Sequence, residues 1–81
     1  MKNEIIEKIQ RFQNVQKDCE ERIKLVSKNI AQIAEQIANG NLTALDDLES
    51  EYEWLQNEIN ELNRYKAMEA VCKDLLKSED D

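Results

Sequence analysis

The chain contains no histidine, no proline, a single glycine and only four aromatic residues among 81. Each shortage excludes something. Without histidine there is no general base titrating near neutrality, no Ser-His-Asp arrangement and no His-containing zinc site. Without proline, and with one glycine, the chain has almost nowhere to turn sharply. No apolar run approaches the roughly 18 residues of a membrane-spanning helix. No signal segment opens the chain, which leads us to expect a cytoplasmic protein. Cys19 and Cys72 are far apart in sequence and read as two separate apolar thiols rather than a redox or metal motif.

What remains is charge and helix-forming residues. Charged side chains make up 36% of the sequence, with a net charge of −7, and the apolar residues recur at helical spacing, which favours long helices over disorder. The richness in Asn, Ile, Lys and Glu is common in low-GC bacteria and their phages, so the expected setting is a bacterial or phage-infected host cell.

One break is legible, Ala38-Asn-Gly-Asn-Leu-Thr43. Gly40 can take the left-handed conformation that ends a helix, and Thr43 is placed to cap the next one with Asp46 three residues on. The expected layout is a single domain: helix 1 over about 3–39, a turn at 40–42, helix 2 over about 43–77, and a frayed acidic tail at 78–81. The fold class is all-α, an antiparallel two-helix hairpin of coiled-coil type that dimerises into a four-helix bundle.

Helix 1 carries two heptad series: Ile9, Gln16, Ile23, Ile30 and Ile37 at a, and Ile5, Phe12, Cys19, Val26 and Ile33 at d. The lone polar member, Gln16, either fixes register or oligomer state or sits at a partly wet, fraying level. In helix 2 the apolar pattern places Leu45, Tyr52 and Ile59 at a and Leu48, Leu55 and Leu62 at d. It then slips by a three-residue step through Tyr65 and Met68, like a stammer. Folding back about the turn sets Arg22 opposite Glu58, Val15 opposite Tyr65, and Cys19 near Leu62, out of disulfide reach of Cys72.

Trp54 falls off the helix 2 stripe, at the level of Leu25. With Val15, Tyr65, Met68, Cys72 and Leu75 it defines an apolar flank, expected to bind a protein partner or a second copy. The opposite side carries Gln13, Glu20, Ser27, Gln56 and Asn63, with Ile6. Charge is uneven as well: residues 1–42 hold six acids and seven bases, residues 43–81 twelve acids and four bases. Asp46, Asp47, Glu49, Glu51, Glu53, Glu58 and Glu61 form an acidic block uninterrupted by any base, suited to a basic protein surface and unsuited to direct nucleic-acid binding. A hairpin offers no pocket to tune these carboxylates, so neither enzyme chemistry nor a cofactor or metal is expected.

Gly40, Leu42, Thr43, Asp46 and Leu48 resemble the turn of the exonuclease VII small subunit, where Gly-x-Leu-Ser precedes an acidic helix. The likeness is confined to residues 40–48. The following aromatic is displaced to Tyr52, Trp54 stands where a glycine is expected, and helix 1 is longer than in that family. It therefore implies a hairpin turn and no activity. The architecture is also similar to the helical-hairpin chaperones of type III secretion needles, without a shared motif.

The function expected from these residues is a non-enzymatic interaction module: a small acidic regulator, inhibitor or co-chaperone that binds a larger protein, itself, or both. An acidic decoy that mimics nucleic acid, of the phage anti-CRISPR type, is the first alternative. A purely structural coiled-coil spacer is the second.

Overall fold

The computed structural model describes residues 1–80 and is an antiparallel helical hairpin measuring 62 × 14 × 13 Å. α1 (Lys2–Ala38) is followed by a single 3₁₀ turn (Leu42–Ala44) and α2 (Leu45–Asp80). Of the expected frayed tail, Ser78 to Asp80 continue α2, and residue 81 lies outside the described residues. No helix among the described residues is long and apolar enough to cross a membrane.

The turn follows from one backbone angle. Gly40 has φ +102°, a region that side chains with a Cβ avoid. Its N–H donates to the Ile37 carbonyl, and the Asn41 N–H donates to the Gln36 carbonyl, each at 3.0 Å. This is the Schellman closure, which satisfies carbonyls that α1 would otherwise leave unpaired. Thr43 does not cap α2 as its position suggested. Its hydroxyl donates to Asn41 Oδ1 at 2.6 Å, inside the 3₁₀ turn, and regular α-helix begins two residues later. Asp46 and Asp47 then occupy the first turn of α2, and Lys77 the last, both favourable to the helix dipole.

The seam between the helices is a continuous heptad ladder on both sides. On α1 the ten expected positions, from Ile5 to Ile37, are all buried or half-buried. From the end of the 3₁₀ turn through α2 the seam positions are Ala44, Leu48, Glu51, Leu55, Glu58, Leu62, Tyr65, Glu69, Cys72 and Leu76, alternating in steps of four and three without interruption. The expected stammer is therefore absent. Leu45 and Tyr52, assigned to the seam from their hydrophobicity, are exposed, Tyr52 by 55%. Ile59, one residue beyond Glu58, is half-buried at the edge. Three true seam positions are glutamates, and a search for apolar periodicity passes over them onto the neighbouring stripe.

A seam one helix wide shields little. Ile9, Cys19, Val26 and Ala44 are the only buried apolar residues among those described. The aromatic pair Phe12 and Tyr65 adds a tilted ring contact across the seam, with centroids 5.8 Å apart.

An alanine at position 40 would meet no atom within 4 Å, so its cost is purely conformational. Gly40→Ala is expected to destabilise the hairpin by about 1–2 kcal/mol, read from chemical denaturation followed by circular dichroism.

Candidate functional site

The middle of the seam is polar. Arg22 Nε donates to Glu58 Oε1 at 3.0 Å, the pairing expected from the fold-back, and Arg22 Nη2 donates to Cys19 Sγ at 3.3 Å. Glu58 is only 8% exposed, and its second oxygen is buried without a hydrogen-bond partner. Burial pushes the Cys19 pKa up, and the neighbouring Glu58 carboxylate adds to the rise, against an opposing pull from Arg22. Cys19 is thus a fully enclosed, protonated thiol, with none of the thiolate character that reactive cysteines need. Glu58 in turn raises the Arg22 pKa, chiefly through their hydrogen bond. The ligand atoms of Cys19, Glu58 and Glu61 lie within 4.8 Å of one another, but the Arg22 guanidinium already supplies the positive charge at this cluster.

A second polar step crosses the seam nearer the open end. Gln16 Nε2 donates to Glu69 Oε1 at 3.1 Å and reaches the Tyr65 carbonyl at 3.5 Å. Gln13 donates to Glu69 Oε2 at 3.4 Å, and Lys73 pairs with the same oxygen at 3.4 Å. The Gln16 hydrogen bond is the main reason the Glu69 pKa falls below its ordinary value, with burial opposing. Gln16 is half-buried and its amide has its partners on α2, so a slipped helix would leave that set unpaired.

On either side of the seam lies a face of the flat hairpin. Most of the grooves open on one face, and a further one, lined by Leu48, Glu49, Ser50, Tyr52 and Glu53, opens on the side of α2 that carries Tyr52. Lys8, Phe12, Ala67, Met68, Val71 and Cys72 line an apolar groove near the open end. Asp18, Glu21, Arg22 and Leu25 line another at mid-length. Trp54 shares the heptad position of Asp47, Glu61, Met68 and Leu75, which places it on this face. Of the expected flank residues, Leu25 (61% exposed), Trp54 (45%) and Leu75 are open, while Val15 and Met68 are half-buried at the edge. Tyr65 and Cys72 belong to the seam itself, and the ring contact of Tyr65 is with Phe12. Val71, 58% exposed, belongs to the face and was passed over because it sits outside the apolar pattern assigned to α2.

The other face is less wet than its polar residues implied. Leu45, Tyr52 and Ile59 recur there at heptad spacing, with Ile6 on α1. The acidic block is divided between the outer side of α2 and the seam. Asp46, Asp47, Glu49, Glu53 and Glu61 are exposed, at three heptad positions outside the seam, whereas Glu51 is half-buried and Glu58 buried in the seam. Glu51 Oε2 is also without a hydrogen-bond partner.

Two expectations follow. Arg22→Met should lower the melting temperature by leaving the Glu58 carboxylate buried and unpaired, whereas Glu58→Leu should raise it by completing a run of Leu55 and Leu62, because half-exposed Arg22 can rehydrate. Glu69 has a depressed folded pKa, so its contribution is present above the ordinary carboxylate value and lost as pH falls through the folded one. Thermal melts from pH 6 to pH 3 should therefore show a steeper acid loss for the wild type than for Gln16→Leu.

No protein-family model, curated protein or solved structure matches the chain, and its site is read from its own geometry.

Proposed function

We propose that this protein is a non-enzymatic interaction module, a small acidic helical hairpin that works by covering its grooved apolar face with a protein surface. The observation that carries this reading is the imbalance between shield and surface. A compact monomer of 9.5 kDa exposes about 5,000 Å², whereas this chain exposes 6171 Å². The surplus includes Trp54, Leu25, Val71 and Leu75 on one face. Large side chains gathered at the edge of a seam are the anatomy of a contact surface, and a four-helix bundle or a larger partner would supply the missing layer. Regulation, inhibition or chaperoning by occupancy needs no more chemistry than this.

The withdrawal of Glu51 and Glu58 into the seam interrupts the row of carboxylates that a nucleic-acid decoy would present, and so favours this reading over a decoy. A spacer has no use for an open tryptophan. The acids instead bias the choice of partner towards basic surfaces and keep the free hairpin soluble.

Trp54→Ala is expected to weaken self-association, or capture of a protein from the native host, more than it lowers helicity. Sedimentation, affinity purification with mass spectrometry, and circular dichroism measure the three quantities. Capture that survives 1 M salt marks the apolar face as the contact, and capture that collapses marks the charges. Unchanged assembly together with unchanged capture would refute the proposal.

A further inference from the structure

We infer that the grooved face is covered by a second copy of this chain lying head to tail, with Trp54 of each copy seated against the Phe12–Met68–Val71–Cys72 groove of the other. This rests on the interaction-module reading and specifies its occupant.

The first argument is axial level. Trp54 lies 13 residues beyond the turn residue Asn41, or about 20 Å along a helix rising 1.5 Å per residue. The groove residues lie on average about 43 Å from the turn by the same measure. In a hairpin 62 Å long, a fully overlapped antiparallel copy brings its own Trp54 to about 42 Å from the first turn, the level of the groove. Leu25 lands beside it, near Val15 and Met68. Two-fold symmetry makes the contact twice, as an isologous interface requires.

The second argument is charge. The half of the hairpin nearer the turn, residues 21–61, has nine acids and three bases; the open half has nine acids and eight bases. Packing two copies turn to turn sets a charge of −6 against −6, while head-to-tail packing sets each acidic half against the half that carries Lys8, Arg11, Arg64 and Lys66. At mid-length the same arrangement brings Arg22 of one copy level with Glu61 of the other, beside the symmetry axis. The third argument is area. A standard interface buries about 800 Å² per partner, which removes most of the surplus surface. The face-to-face product is a four-helix bundle whose central layers are the seam of each hairpin and whose new layer is Trp54 and the groove.

The test uses the full chain with Ser50→Cys and Cys72→Ala, spin-labelled at position 50, with Cys19 left buried as a native thiol. Sedimentation of the unsubstituted chain reports mass, because Cys72 lines the groove, and electron-electron double resonance on the labelled chain reports the distance between labels. Head-to-tail packing places the labels about 35 Å apart, and turn-to-turn packing holds them within roughly 15 Å, from the helical rise alone. Val71→Lys, at an exposed position that should leave helicity intact, is expected to weaken dimerisation about tenfold or more, as is Trp54→Ala. A dimer with the long distance and both losses supports the inference. A dimer with the short distance, or one indifferent to Val71→Lys and Trp54→Ala, overturns it while leaving an interaction module that uses another geometry. A monomer at 100 μM also overturns it, and the wider reading is then decided separately by capture of a host protein.

Discussion

The hairpin is organised around a carboxylate at a position where a coiled coil ordinarily takes leucine. Glu58 is buried in the seam, and it is tolerable there because Arg22 reaches across from α1 with a charge-assisted hydrogen bond. That pairing has consequences in both directions along the chain. It selects the register in which Gln16 meets Glu69 and Phe12 meets Tyr65. It also encloses the Cys19 thiol between a guanidinium and a carboxylate, where it stays protonated. A purely apolar seam of the same length would hold more tightly and would slip more easily, since leucine accepts any leucine.

Polar residues in the seam displace apolar ones to its edges. α2 carries apolar side chains at the seam, at Leu45, Tyr52 and Ile59 on one face, and at Trp54, Met68, Val71 and Leu75 on the other. A helix that distributes its hydrophobic surface so widely is not finished by one neighbour. In the proposed reading, the surface that makes the free hairpin expensive in water is the surface a partner covers, and the acid-rich turn half would bias which orientation or partner can cover it.

Much of this was legible from residue order. The absence of proline, the lone Gly40 and the heptads of α1 determine two long helices and their turn, because each rests on local backbone preference or on spacing within one helix. The Arg22–Glu58 pair was legible too, since a short turn leaves only one way to fold back. The seam of α2 was not. Glu51, Glu58 and Glu69 look like solvent residues until the side chains of α1 that receive them are in place, and with them hidden the apolar pattern points one residue to the side. The same displacement sent Tyr65 and Cys72 to the flank and kept Tyr52 in the seam.

Residue order by itself therefore determined that this is a helical hairpin, where it turns, and which face of α1 is inward, because those properties follow from hydrogen bonding and periodicity along a single strand of sequence. Only the tertiary structure decided which face of α2 is inward, and hence which apolar residues are left outside. Whether a carboxylate is buried depends on the cation opposite it, and that cation lies 36 residues away on the other helix.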